Sequence, residues 1–156
     1  MCISFSCGSV PDSRPQLIIC RGIPASGKST GAKSWVNENP KKRVRINMDD
    51  IRNMLGKYWV PEREPLVSKI LANSFLDAIN LGYDIVLDNT NLNPDAIKYY
   101  IEIAKENKYV VKYWDFFNTP LSLCIERDSK RKHPIGEKVI RSFYNRNKDK
   151  YSLNGN

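Results

Sequence analysis

Along the chain, compact apolar runs alternate with longer segments in which apolar residues recur every three to four positions. Gln16–Arg21 (QLIICR), Arg43–Asn47 (RVRIN), Tyr83–Asp88 (YDIVLD) and Val110–Phe117 have the length and character of buried strands. YDIVLD is apolar enough for a central place in a parallel sheet. Between the runs, Ala32–Asn39 predicts a helix that Pro40 stops, and Asp50–Leu55 a short helix closed by Gly56. Trp59–Pro65, with two prolines, predicts a loop; Tyr58 and Trp59 can stack on bases or pack on the prolines, and packing is the expectation. From Leu66 to Leu81, helical spacing puts Leu66, Val67, Ile70, Leu71, Phe75, Leu76 and Ile79 on one buried face, and Gly82 ends the helix. Pro94–Lys108 predicts a helix with proline in its first turn, and Pro120–Lys132 one that turns basic. Pro134 then opens a last helix with Ile135, Val139, Ile140, Phe143 and Tyr144 available to bury.

Strands alternating with helices predict an α/β fold of three layers around a central, mostly parallel sheet. Such sheets bind ligands at the carboxyl ends of their strands. The 156 residues suit one domain. Residues 16–152 read as that domain, 1–15 as a flexible lead-in and 153–156 as a flexible tail. No apolar run reaches the roughly 18 residues of a membrane helix. The first residues carry no basic region and no long apolar stretch, unlike a secretory signal, so the expectation is a cytoplasmic protein, in host cytoplasm if viral. The four cysteines form no C-x-x-C pair and the one histidine, His133, has no companion, which argues against a metal cage or a disulfide framework. Cys20 reads as core. Lysine and arginine number 25 against 17 acids, a net charge of +8 that suits a polyanionic partner.

Four stretches carry the chemistry. Gly22-Ile23-Pro24-Ala25-Ser26-Gly27-Lys28-Ser29-Thr30 fits G-x-x-x-x-G-K-[ST], the phosphate-binding loop, between a strand and a helix. Backbone N–H groups and the helix dipole there face a nucleotide's phosphates. Lys28 can reach the β- and γ-phosphates, and the Ser29 hydroxyl can ligate Mg²⁺. In Asn47-Met48-Asp49-Asp50-Ile51-Arg52, a carboxylate just past a strand end can take a proton from an attacking hydroxyl, and Arg52, one turn on, can hold an anionic group. Either aspartate can instead cap the short helix. In Asp88-Asn89-Thr90-Asn91-Leu92-Asn93-Pro94, Asp88 stands where many enzymes of this loop type place a Mg²⁺-linked aspartate. Thr90 and Asn91 offer donors and acceptors at the rim, while Asn93 and Pro94 read as helix cap and first turn. Arg127-Asp128-Ser129-Lys130-Arg131-Lys132-His133-Pro134 reads as a basic lid that brings arginines over the phosphates, or as charge favourable at a helix C-terminus. His133 reads as a lid or surface residue, not a base.

In this order, the four stretches and Pro134–Tyr144 (PIGEKVIRSFY) resemble the 5′-polynucleotide kinase domain of phage end-healing enzymes, over about Gln16 to Tyr151. The resemblance implies a P-loop kinase fold with a helical lid, ATP and Mg²⁺ as cofactors, and a 5′-hydroxyl end of DNA or RNA as acceptor. It implies that Gly22, Pro24, Ala25, Ser26, Gly27, Lys28, Ser29 and Thr30 hold the nucleotide, and that Asp49 is the general base. By the same resemblance Arg52 grips the acceptor phosphate and Arg127 and Arg131 belong to the lid. Asp88, Thr90 and Asn91 would face the substrate, with Ser29 and Asp88 at the metal. Three departures stand out: Met48 replaces a basic residue, the family's aspartate falls one place later, at Asn89, and the D-x-D-x-[TV] signature of the fused phosphatase is missing. The expectation is therefore no 3′-phosphatase activity.

The same residues suit two other readings. A small-molecule kinase acting on a nucleoside or sugar hydroxyl would use the same loop and aspartate. A nucleotide-dependent switch without an acceptor leaves Asp49 without a role. Oligomeric state and the choice between DNA and RNA are not legible in the chain.

Overall fold

The computed structural model describes residues 13–155. The expected lead-in therefore falls mostly outside the described residues, as do Cys2 and Cys7. Four strands, β1 (Gln16–Arg21), β2 (Arg43–Ile46), β3 (Asp84–Leu87) and β4 (Val110–Asp115), form one sheet in the order β2-β3-β1-β4. Every pairing is parallel, with Ile18 opposite Val86 and Lys112. The two innermost strands carry the most apolar sequences. β3 is buried at every position, as its unbroken DIVL run requires, and β1 at its four central positions.

Alternation along β1 serves both faces of the sheet. Leu17 and Ile19 join Ile85, Leu87, Val67, Leu71 and Phe75 in a core covered by α2 (Met48–Met54), α3 (Glu64–Asn80) and α4 (Pro94–Glu106). Ile18 and Cys20 face the other way, onto Val86, Ala32 and Trp35 under α1 (Lys28–Glu38). A third cluster seats α5 (Leu121–Ser129) and α6 (Glu137–Tyr151) against Ile23, Ala25 and Leu92 at the strands' carboxyl ends. Three layers around a parallel sheet are as expected. Cys20 is buried core, and burial pushes its thiol up to about 12, which keeps it protonated and unreactive.

Several boundaries differ from expectation. Helix α1 begins at Lys28, so its first turn is the phosphate loop itself. The predicted Trp59–Pro65 loop holds a 3₁₀ turn, Pro61–Arg63, and Pro65 sits in the first turn of α3, where its missing N–H costs nothing. Leu66, expected in the core, is 47% exposed, while Ala78 takes a buried place on the same helix. Helix α5 stops at Ser129, leaving Lys130–His133 outside it, and Pro134 precedes α6 by three residues because Gly136, at φ 94°, occupies the N-cap. Only Ile140 of that helix is fully buried. The expected flexible tail is partly tied down: Leu153 is buried and the Asn154 N–H donates to the Phe117 carbonyl.

Candidate active site

The loop between β1 and α1 is shaped by glycines where backbone demands them. Gly27 has φ 105°, and a Cβ on Gly22 would lie 2.7 Å from the Ser26 Oγ. Ala25 also adopts a positive φ, 63°. From the first turn of α1, the Lys28 Nζ donates to the Gly22 and Ile23 carbonyls at 3.0 and 2.7 Å and to the Ser26 Oγ at 3.3 Å. Lys28 is buried, and burial lowers its pKa to about 8, against the opposing pull of Asp88. The Thr119 hydroxyl donates to the Ser26 carbonyl at 2.8 Å, bracing the loop from behind.

Asp88, just past β3, is 1% exposed. One carboxylate oxygen accepts from the Arg45 Nε at 2.7 Å; the other, Oδ1, is buried with no hydrogen-bond partner among the described residues. A buried carboxylate oxygen left unpaired is costly, so this atom fits a divalent cation or a cation-bound water. Ser29 lines the same cavity, and the two side chains would hold the metal that the loop implies. When bound, such a cation neutralises phosphate charge.

The two strand-end loops are interlocked. Asn47 caps α2 through a bond from the Asp50 N–H at 3.0 Å, and its Nδ2 donates to the Asp88 carbonyl. The Asn89 Oδ1 accepts from the Met48 N–H at 2.9 Å. Arg45 bridges Asp88 and Asp50. Asn89 is thus committed to holding α2, and of Asp88 and Asn89 only Asp88 offers a carboxylate to the cavity.

Asp49 rises from the first turn of α2. Its Oδ1 accepts from the Arg52 guanidinium at 2.6 Å and the Tyr58 hydroxyl at 2.9 Å. Burial first, and Asp49 second, push the Tyr58 phenol up to about 12, so it remains a donor at neutral pH. Arg52 is anchored in turn by Glu64, whose carboxylate accepts its Nε and NH2 at 2.8 and 2.7 Å. The paired guanidinium holds the Glu64 carboxyl below the usual carboxylate range. Arg52, expected to hold an anionic group, is engaged by both carboxylates through three of its five N–H donors. Tyr58 and Trp59 differ from expectation too: the Tyr58 ring stacks on His133, and Trp59 lies 54% exposed beneath Arg52.

The basic lid follows α5. Buried Asp128 accepts from the Ile135 and Gly136 N–H groups at 3.3 and 2.9 Å, which fastens the returning end of the loop to the helix it left. Arg131 lies 3.7 Å from the same carboxylate with its side chain 41% exposed.

One cavity of about 850 Å³ brings together Pro24, Ala25, Lys28, Ser29, Asp49, Arg52, Asp88, Thr90 and Arg131. Gly22, Ser26, Gly27 and Thr30 do not line it: the first three shape the loop, and Thr30 is exposed on α1. Arg127 lies against the outer side of the loop, its NH1 3.8 Å from where a Cβ on Gly27 would stand. Asn91 corrects the sequence reading. At φ 47°, it turns its Nδ2 inward to the Cys20 and Leu87 carbonyls at 2.8 and 3.1 Å, so it ties β1 to β3 and does not face the cavity. The sequence reading gave no role to Arg45, Asn47, Glu64 or Asp128, and cast Tyr58 as packing on prolines rather than as a donor to Asp49. Only Asn47 left a local signal, as a cap before the aspartate pair.

The family model described as AAA domain matches residues 17–152. The chain belongs to the AAA domain family. Within its sequence relatives, this AAA-domain protein is 29% identical over 154 residues to a putative bifunctional polynucleotide kinase/RNA ligase of Autographa californica nuclear polyhedrosis virus, covering 86% of this chain and 21% of the relative. It is 30% identical over 138 residues to the L-seryl-tRNA(Sec) kinase of Methanococcus maripaludis, covering 82% of this chain and 51% of the relative. The chain therefore spans about a fifth of the first relative and about half of the second. Its fold superposes on a chain of the Pnkp1/Rnl/Hen1 RNA repair complex with TM-score 0.71 at 22% identity, over 94% of this chain and 49% of that one. The AAA-domain protein is thus a P-loop domain of kinase type, whose family implies a nucleotide and a divalent metal. Among the described residues, no helix is long and apolar enough to cross a membrane, and no cluster of histidine, cysteine and carboxylates forms a metal cage.

Proposed function

We propose that the protein is an ATP-dependent polynucleotide 5′-hydroxyl kinase, using Mg²⁺ to move the γ-phosphate of ATP to a 5′-hydroxyl end of DNA or RNA. The observation that carries this reading is the placement of Asp49. It shares one cavity with Lys28 and Arg131, and both of its hydrogen bonds fall on Oδ1. Its carboxylate is 50% exposed, which leaves Oδ2 to accept the proton of an incoming hydroxyl. The hydroxyl oxygen then bonds to the γ-phosphorus as the bond to the β–γ bridging oxygen breaks, and ADP leaves. Lys28 and Arg131 offset the negative charge that shifts toward the leaving oxygen. Ser29 and Asp88 would hold the Mg²⁺. Arg127 lies against Gly27 of the loop, outside the cavity, and supports the loop without touching the phosphates. The net charge of +8 and the viral relative's name support a polynucleotide acceptor.

A second reading, a kinase for a nucleoside or sugar hydroxyl, is favoured by Arg52. Three of its five N–H donors are taken by Asp49 and Glu64, and the two carboxylates offset its charge, which weakens its pull on an acceptor phosphate. Labelled γ-phosphate offered to 5′-hydroxyl DNA and RNA oligonucleotides separates the two. Labelling that is lost in Lys28→Ala and Asp49→Ala supports the first reading. ATP turnover without labelling of either polymer overturns it and directs the search to small hydroxyl acceptors.

A further inference from the structure

Outside the catalytic cavity a second groove of about 770 Å³ opens between two loops, the one that follows α2 and the basic loop that follows α5. Asn53, Gly56 and Lys57 line the groove alone, while Tyr58, Trp59, Lys132 and His133 face both the groove and the cavity. The Tyr58 and His133 rings lie 5.1 Å apart and within 4° of parallel, so this stack forms part of the wall between the two spaces. No carboxylate lines the groove. Two lysines, an amide and an indole that is 54% exposed make a surface matched to a single nucleic-acid strand: cations for phosphodiesters and a flat ring for a base. The groove borders the Asp49 site, since Tyr58, which lines both spaces, donates its hydroxyl to that carboxylate.

We propose that this groove is the path by which the acceptor strand leaves the active site, with Lys57 and Lys132 on the phosphodiesters and Trp59 under a base 3′ of the acceptor nucleoside. The proposal rests on the polynucleotide reading above and sharpens it: recognition extends past the first phosphate, and Arg52 need not supply it. It also gives the Tyr58–His133 stack a role as a wall that steers the strand around Asp49.

The test compares acceptors of increasing length. KM is measured for a nucleoside 3′-monophosphate and for 5′-hydroxyl oligonucleotides of two, three and six nucleotides, in the unaltered protein and in Lys57→Ala and Trp59→Ala. The expected result is a KM that falls about ten- to hundredfold by the third nucleotide and then levels, as one stacked base and two phosphate contacts imply. In each variant that ratio shrinks, and Lys57→Ala also flattens the salt dependence by about one unit of slope. Thermal melting shows whether the variants remain folded, and the length series in the unaltered protein needs no variant. Labelling of the monophosphate and the six-nucleotide strand with equal KM overturns the groove while leaving the kinase reading standing. Length dependence untouched by either substitution overturns it as well. Labelling of no nucleic acid at all removes both.

Discussion

Lys28 and Asp88 are 7% and 1% exposed, whereas the side chains of Asp49 and Arg131 are 50% and 41% exposed. The two sides of one cavity are thus built by different physics. On the phosphate-donor side, a lysine is held by backbone carbonyls just past β1, and a carboxylate just past β3 is held by a half-buried arginine of the neighbouring β2. On the acceptor side, half-exposed ion pairs and one ring stack hold the functional groups on a short helix and two loops. Buried, interlocked groups resist rearrangement, while exposed pairs contribute little to stability and can exchange partners when a substrate arrives. A nucleotide's phosphates are the same in every such enzyme, but acceptors differ, so rigidity belongs on the first side and adaptability on the second.

The largest expected effect breaks the donor side. Asp88→Ala leaves Arg45 half-buried without its better partner and removes the unpaired buried oxygen that would hold a metal. Stability should fall by about 3–5 kcal/mol, the usual cost of breaking a buried pair, and phosphoryl transfer should be abolished. A urea titration beside a transfer assay checks this. An unchanged midpoint would place the Arg45–Asp88 pair among the dispensable surface bridges and erase the contrast.

Next comes the joint between the two sides. Asp128 serves no ligand, yet it closes the loop that carries Arg131. Asp128→Ala leaves two backbone N–H groups unpaired and should cost about 1–3 kcal/mol. It should also lower kcat about tenfold through lost positioning, equivalent to about 1.4 kcal/mol of barrier, with little change in ATP affinity. Equal losses in kcat and ATP affinity would show that the loop binds ATP in the ground state.

The pH dependence separates the sides without mutation. Lys28 has its pKa lowered to about 8 by burial, so it loses its proton readily unless phosphates are present. Bound phosphates favour the charged form, and ATP affinity should therefore fall about tenfold between pH 7 and 9. The linkage to folding has the opposite sense. Because the folded pKa lies below the ordinary lysine value, the cost of keeping Lys28 charged is present below about pH 8 and is relieved as pH rises toward that of the unfolded chain. Isothermal titration across this range checks the affinity, and Lys28→Arg should remove the slope.

The same contrast explains what was legible in the chain. Strand runs, helix periodicity and the phosphate loop are local patterns, and the donor side is made of them: the loop lies at one strand end and Asp88 at the next. The acceptor side is assembled by contacts across distance. Glu64 meets Arg52 from the far side of a loop, Tyr58 meets His133 from the lid, and Asp128 meets N–H groups seven and eight residues on. Nothing in their immediate sequence distinguishes them from surface polar residues. Asn91 misled for the converse reason: a polar residue at a strand-end rim reads as a ligand group, but two carbonyls left over where β1 and β3 end claimed its amide.

The smallest expected effect tests whether the acceptor side is as adaptable as its exposure suggests. Glu64 holds two of the Arg52 donors, yet its own side chain is 28% exposed, so the pair is screened and Glu64→Gln should cost less than about 1 kcal/mol of stability. Function should respond in a direction that depends on what Arg52 does. If Arg52 exchanges Glu64 for an acceptor phosphate, weakening the resident pair frees the guanidinium, and KM for a 5′-hydroxyl oligonucleotide should drop severalfold while kcat holds. If Arg52 acts only to orient Asp49, loosening its anchor should lower kcat and leave KM alone. Steady-state kinetics of this one variant therefore decides between a gripping and a positioning arginine, and a destabilisation as large as that of Asp88→Ala would show that the two sides are equally rigid after all.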